Sequence, residues 1–203
     1  MRRDFGRRLF LALAAGFLLF LVWLCLDGTM LRKLNAENLH GRKNESLYLQ
    51  QRDHGITYIG GQGVLYGEDF MSLVEGEGNK NEVTNLIIGD GITEIGYNVL
   101  IRFEGLETLK LGKGIKCVDI GAVKWCTALQ YVYLPAGLEQ VGRDFLYSCN
   151  KCLVITEGSR KDLPSLRNVK KSRLFCNVHS LEALKVAVGE DEALPPALAA
   201  WWP

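Results

Sequence analysis

The residues of this sequence that are best suited to chemistry are Cys149 and Cys152, which form a C-x-x-C motif. Such a pair can act as a redox couple or supply half of a zinc site. No second C-x-x-C and no H-x-x-x-H motif accompanies it. Both cysteines also fall at positions of a repeat, described below, that are otherwise apolar, and a small buried cysteine is an ordinary occupant of such positions. We therefore predict a structural role for the pair and no metal site.

The other candidate catalytic groups are isolated from one another. His54 and His179 stand far apart in the sequence, and no Ser-His-Asp or paired-carboxylate signature accompanies them. The glycine-rich stretch at residues 60–63 lacks the Lys and Ser/Thr of a phosphate-binding loop, so a turn explains it better. We predict that the protein is not an enzyme and requires no cofactor.

The elements that would position any functional residue come from an internal repeat of 23 residues. Three copies follow one another without a gap, at 83–105, 106–128 and 129–151. Apolar residues recur in register, as in the column of Leu86, Leu109 and Val132, which Ile155 continues. One coil of this length buries too little to fold alone, whereas stacked coils bury each other. The pattern predicts an α/β, β-dominated solenoid of short parallel strands.

The third repeat resembles a known class of repeats. Pro135 follows its strand, and the pair Val141-Gly142, the aromatic Phe145 and the small Cys149 come after it at the spacing of BspA-like bacterial leucine-rich repeats. The resemblance implies a leucine-rich-repeat solenoid and a surface protein that binds other molecules. It does not imply a particular ligand, because this family includes adhesins and secreted proteins alike.

Cys126 and Cys149 occupy equivalent positions in adjacent repeats. Neighbouring strands lie about 5 Å apart, so these two cysteines could form a disulfide in an oxidising compartment. A column of reduced thiols is the alternative, and it is the one we favour.

Less regular segments flank the repeats within a solenoid unit that we predict over residues 47–188. Residues 47–82 are expected to cap the first coil. Residues 152–188 are expected to form an irregular last coil, in which Leu181, Leu184 and Val186 restore one strand.

The final segment, residues 189–203, is predicted to be a C-terminal cap or tail. It contains Trp201 and Trp202 next to one another. Open solenoid ends need covering, so we expect the two tryptophans to cover the last coil. A docking peptide is the alternative.

The N-terminal region predicts a membrane anchor. Leu9–Leu26 is an uncharged run of eighteen residues, which as a helix spans roughly 27 Å, close to the thickness of a bilayer core. Four arginines precede it, which places residues 1–8 in the cytoplasm and the rest outside the cell. A cleaved signal peptide is the alternative. The lipid bilayer is thus an expected partner, and residues 27–46 are expected to form a juxtamembrane spacer.

The charge balance argues against a nucleic-acid partner. The formal net charge is +1, and the arginines before the apolar run account for more than this excess. The remainder of the chain is therefore mildly acidic, whereas proteins that follow a phosphate backbone need a basic face.

Candidate binding residues lie at strand positions that alternate with the core. On this pattern Lys110, Tyr131 and Tyr133 face the open side of the coil stack. Trp125 shares a column with Arg102 on another side and is expected to be exposed. Because exposed Tyr and Trp commonly anchor recognition sites, we predict a contact patch of Tyr131 and Tyr133 beside Lys110, with Trp125 as a further binding residue.

These observations favour a single-pass, membrane-anchored, non-catalytic leucine-rich-repeat module. Its repeat domain would lie outside the cell and bind a protein or a glycan. The alternative is a structural or assembly component of an envelope membrane complex. Crosslinking in intact cells would distinguish them, because the first predicts extracellular partners and the second predicts neighbouring membrane proteins.

Overall fold

The computed structural model describes residues 44–77, 80–159, 173–189 and 193–202. The predicted cytoplasmic segment 1–8, the predicted membrane helix 9–26 and most of the predicted spacer lie outside these residues. Within the described part of the chain, no helix has the length and apolar character needed to cross a membrane.

The described residues form a parallel β-solenoid of about three turns, in which three sheets surround one core. Sheet A has the strand order β1-β2-β4-β7-β10-β13-β14, sheet B has β11-β8-β5-β3, and sheet C has β12-β9-β6. The strands are β1 Tyr48–Arg52, β2 Ile56–Gly60, β3 Gly63–Leu65, β4 Asn85–Ile88, β5 Ile92–Ile95, β6 Leu100–Ile101, β7 Thr108–Leu111, β8 Cys117–Val118, β9 Val123–Lys124, β10 Tyr131–Leu134, β11 Gln140–Val141, β12 Leu146–Tyr147, β13 Leu153–Thr156 and β14 Leu174–Phe175. The helices are α1 Gly67–Glu77 and α2 Leu181–Val188, with 3-10 helices at Asp53–Gly55, Lys80–Glu82 and Pro196–Trp201.

Each 23-residue repeat supplies one strand to each sheet, which confirms the predicted β-dominated solenoid of short parallel strands. In sheet A, Leu86 pairs with Leu109 and Leu109 with Val132, and all three are fully buried. Alternate strand residues point to opposite faces, so one apolar column per strand builds the inner core. A Cβ on Gly114 would overlap the carbonyl oxygen of Asp90 in the preceding coil, so the turn between sheets A and B requires glycine there.

The predicted register is wrong by one residue at β13. Val132 pairs with Val154 rather than with Ile155, which faces the other side of the sheet. The turn before the strand keeps the 23-residue spacing, because the amide of Cys152 donates to Cys149 just as Leu129 donates to Cys126. Strand β13 begins one residue after Cys152, whereas β10 begins two residues after Leu129. This one-residue shift exchanges the side chains that face the core with those that face outward.

The predicted last strand over Leu181, Leu184 and Val186 is also wrong, because these residues lie in helix α2. Ser180 caps this helix, its hydroxyl oxygen accepting from the amide of Ala183 at 3.1 Å. A serine N-cap favours a helix at this position. The strand that completes sheet A is β14 instead, which pairs in parallel with β13.

The N-terminal part of the described chain closes the first coil. Strand β1 pairs antiparallel with β2, while β2 and β3 extend sheets A and B in parallel. Helix α1 buries Phe70 against Phe103, with ring centroids 5.2 Å apart. Asn44 donates from its side-chain amide to the carbonyl oxygens of Gln62 and Val64. Asn44 is thus the first residue of the compact unit that contains the solenoid.

Candidate binding surfaces

The predicted contact patch on sheet A is covered by the chain itself. Tyr131 and Tyr133 point away from the inner core as predicted, but their side chains are only 3% and 1% exposed. The expectation that they form an open surface is therefore wrong. The segment 193–202, here called the tryptophan segment, lies over them together with helix α2.

The contacts between this segment and sheet A are aromatic and polar. The ring centroids of Trp201 and Trp202 lie 5.8 Å and 5.9 Å from that of Tyr133. The ammonium of Lys110 lies 5.7 Å from the centroid of the same ring and donates a hydrogen bond to the carbonyl oxygen of Trp201. Three of the four predicted binding residues, Lys110, Tyr131 and Tyr133, thus contact another segment of the same chain.

The tryptophan segment does not cover the last coil in the way that was expected. Its 3-10 helix contacts β7, in the middle of sheet A, and the turn at residues 53–55, beside the first strands. The segment therefore runs across the outer face of the sheet. Because strand side chains alternate, the outer positions of β10 and β13 carry apolar residues that need this cover.

Burial changes the acid–base behaviour of the covered residues. Burial lowers the pKa of the Lys110 ammonium, and the nearby carboxylates of Asp90 and Glu157 offset part of that effect. Burial also raises the pKa of Tyr133, as does the hydrogen bond between its hydroxyl and the side chain of Glu157. In both cases burial disfavours the charged form, which is the ammonium of Lys110 and the phenolate of Tyr133.

The second surface is exposed and lies along sheet C. Trp125 is 40% exposed, in agreement with the prediction, and Tyr97 and Tyr147 are each 51% exposed. Together with Arg102 and Lys124 they form what we call the aromatic strip. The strip places three aromatic rings and two cations on one side of the solenoid.

The geometry of the aromatic strip is set by contacts among its own members. The rings of Trp125 and Tyr147 meet edge to face, with centroids 6.1 Å apart and planes at 83°. The guanidinium carbon of Arg102 lies 5.4 Å from the centroid of Trp125. The ammonium of Lys124 lies 4.9 Å from that of Tyr97. Cation–π contacts of this kind hold the charges against the rings.

The backbone at Trp125 is unusual for its residue type. Arg102, Trp125 and Ser148 all have φ between 55° and 60°, in the left-handed region. That region costs a non-glycine residue roughly 1–2 kcal/mol. The other left-handed column is occupied by Asn98, Gly121 and Asp144, which are types that tolerate it. Neither the backbone nor core packing therefore calls for tryptophan at position 125.

Sequence reasoning placed Trp125 and Arg102 on this surface but did not include Tyr97, Lys124 and Tyr147. Lys124 directly precedes Trp125, and Tyr147 is the residue equivalent to Lys124 in the next repeat. An alignment of the three repeats therefore indicates that both side chains lie beside Trp125. Tyr97 lies in the turn between β5 and β6 and contacts the Lys124 side chain. No spacing in the sequence indicates that contact.

Three cysteines of the repeat region lie in the inner core. Cys126, Cys149 and Cys152 are free thiols in the core. A hydrogen bond between the side chains of Cys126 and Cys149 raises the pKa of the Cys126 thiol, and burial raises it further. Burial also raises the pKa of Cys152. The possible Cys126–Cys149 disulfide stays a prediction for an oxidising compartment, and no cluster of His, Cys, Asp or Glu suited to a metal ion occurs among the described residues.

Comparisons with protein-family models, with curated proteins and with solved structures find no match to this chain. The resemblance of the third repeat to BspA-like leucine-rich repeats therefore stays a prediction.

Proposed function

We propose that this protein is a membrane-anchored, non-catalytic recognition module whose aromatic strip binds an acidic glycan at the cell surface. The exposure of Trp125 at a left-handed backbone position is the observation that carries the proposal. A large aromatic residue retained at a cost to the backbone and to solvation is better explained by binding than by folding.

The ring arrangement supports a glycan. The C–H groups of a pyranose ring pack on an aromatic face, which carries partial negative charge. Trp125 and Tyr147 stand edge to face, so one ring can stack on a sugar while the other borders it. Tyr147 lies in β12, and Trp125 directly follows β9 and donates its backbone amide to the carbonyl oxygen of Tyr147 at 2.9 Å.

The two cations support an acidic sugar over a neutral one. Arg102 presents a planar guanidinium that can bind a carboxylate through two hydrogen bonds, and Lys124 presents a point charge. Both lie beside the exposed rings rather than in an ion pair with a described carboxylate. A uronic-acid residue offers a carboxylate and an apolar ring face together.

The location at the membrane rests on the sequence. Leu9–Leu26 has the length and composition of a bilayer-spanning helix, and the arginines before it favour a cytoplasmic N-terminus. In that arrangement the solenoid would lie outside the cell, where glycans are found.

The proposal is tested with the full chain in detergent micelles, immobilised and exposed to three probes in turn. The probes are an oligogalacturonate, a neutral maltooligosaccharide and a polyglutamate peptide. We expect the oligogalacturonate to bind best. We expect Trp125→Ser and Arg102→Gln each to weaken its binding by about tenfold, since a central aromatic or charged anchor contributes about 1.4 kcal/mol or more.

The matched control is Val186→Ser, which removes an exposed apolar side chain on helix α2, away from the strip. It should leave binding unchanged. Absence of oligogalacturonate binding would overturn the proposal. Equally tight polyglutamate binding that survives Trp125→Ser would point to an acidic protein partner and overturn it as well.

A further inference from the structure

The aromatic strip contains two cation–aromatic pairs rather than one. The guanidinium carbon of Arg102 lies 5.4 Å from the ring centroid of Trp125, and the ammonium of Lys124 lies 4.9 Å from the ring centroid of Tyr97. Both rings remain exposed. Each pair therefore presents by itself the two features that a uronic-acid residue can contact, an aromatic surface and a positive charge.

The two pairs lie close enough together for one short ligand. Tyr97 and Arg102 are five residues apart in one coil, and five fully extended residues span at most about 18 Å. Lys124 and Trp125 are neighbours in the next coil, and the backbone amide of Arg102 donates to the carbonyl oxygen of Lys124 at 3.0 Å. Hydrogen bonds of sheet C thus hold both pairs on two adjacent coils.

Gly121 provides the space in which the Lys124 side chain reaches Tyr97. A Cβ on Gly121 would overlap the Cε and Nζ atoms of Lys124. Any side chain at position 121 would therefore move the ammonium of Lys124 away from its present place beside the Tyr97 ring.

The backbone at Gly121 does not by itself require glycine. Its φ of 58° is left-handed, but Asn98 and Asp144 occupy the equivalent positions of the neighbouring repeats with φ of 55° and 58°. Asparagine and aspartate tolerate this conformation. The position of the Lys124 side chain explains glycine at 121 better than the turn does.

We propose that the aromatic strip holds two sugar subsites, one at Trp125 and Arg102 and one at Tyr97 and Lys124, so that its ligand is an oligouronate with at least two charged sugars. Gly121 is the positioning residue of the second subsite. This inference rests on the proposed function, which requires only that the strip bind an acidic glycan. A polyuronate carries a carboxylate on every sugar, which suits two separate cations.

The test measures the Kd of galacturonic acid and of trigalacturonate by NMR titration of the full chain in micelles. We expect the wild-type chain to bind trigalacturonate about tenfold or more tightly than the monosaccharide, because the second subsite adds a charge-assisted hydrogen bond. Gly121→Asn should weaken trigalacturonate binding about tenfold. It should leave galacturonic acid binding unchanged, because the guanidinium of Arg102 can bind that carboxylate through two hydrogen bonds.

The matched control is Gly55→Asn. Gly55 also has a left-handed φ, of 67°, but a Cβ there would meet no described atom within 4 Å. This variant introduces the same side chain at the same type of backbone position and should leave both affinities unchanged.

A second variant separates positioning from a general effect on the fold. Lys124→Met should weaken trigalacturonate binding as much as Gly121→Asn does, and adding Gly121→Asn to Lys124→Met should weaken it no further, because residues that act through one contact are not additive. A merely structural role of Gly121 would weaken binding equally in both backgrounds and would contradict the inference.

The outcomes distinguish this inference from the proposed function. A wild-type chain that binds neither galacturonate would overturn both. Trigalacturonate binding that Gly121→Asn and Lys124→Met leave intact would overturn the second subsite alone, as would equal affinities for the monosaccharide and the trimer, and the proposed function would stand.

Discussion

The outer face of sheet A and the aromatic strip on sheet C are both rich in aromatic residues, yet they differ in cover. On sheet A, Tyr133 packs between Lys110 and two tryptophans and is 1% exposed. On sheet C, Trp125 contacts Arg102 and Tyr147 and remains 40% exposed. Both faces use aromatic rings and cations, but only the strip is open to a ligand.

The difference shows that position in the repeat does not decide which aromatic residues are available. The position in the repeat determines which sheet face a side chain lies on. Whether that face is buried depends on a segment far along the chain, residues 193–202. An aromatic residue under such cover contributes to folding. One left uncovered at an unfavourable backbone position is a better candidate for recognition.

The largest expected effect is on stability and separates the two faces directly. Trp201→Ala removes a buried ring from the outer face of sheet A and should lower the free energy of unfolding by about 3–5 kcal/mol. Trp125→Ala removes an exposed ring and should change it by about 0.5 kcal/mol or less. Urea denaturation of the full chain in micelles, followed by circular dichroism, measures both changes.

Val186→Ala, on the exposed side of helix α2, is the matched control for a large apolar side chain lost from the surface. Equal losses of stability in Trp201→Ala and Trp125→Ala would contradict the distinction between a covered and an open face.

The solenoid itself could be predicted because its information is local and repeated. Leu86, Leu109 and Val132 recur at one spacing, and the structure places them side by side. The cover on sheet A could not be predicted, because Lys110 and Trp201 meet across ninety-one positions. No periodicity connects them.

Two smaller failures have local physical causes. The shift at β13 comes from one residue fewer after Cys152, which a repeat alignment anchored on apolar residues does not detect because Val154 and Ile155 are both apolar. The sequence predicts a strand at Leu181 and Leu184 because both residues also suit the repeat, but the N-cap at Ser180 favours a helix.

A smaller effect should be seen at alkaline pH. Burial raises the pKa of Tyr133 above its ordinary value of 10.0, so above that pH the unfolded chain releases this proton while the folded chain retains it. The stability contributed by Tyr133 is therefore complete below pH 10 and declines as pH rises beyond it. The wild-type chain should lose stability more steeply above pH 10 than Tyr133→Phe does.

Urea midpoints measured at a series of pH values from neutral to alkaline test this expectation. The remaining titrating groups are shared by the two chains, so the difference between their curves isolates Tyr133. Parallel curves would mean that the Tyr133 hydroxyl is open to solvent and that the tryptophan segment does not cover it.

The most direct test of the distinction between the two faces is fluorine NMR of the full chain in micelles with 5-fluorotryptophan at its four tryptophans. Substitution of each tryptophan by phenylalanine assigns the signals, and oligogalacturonate is then titrated into the wild-type chain. We expect the Trp125 signal to shift with ligand while those of Trp201 and Trp202 do not. Shifts of the Trp201 and Trp202 signals with an unchanged Trp125 would contradict it.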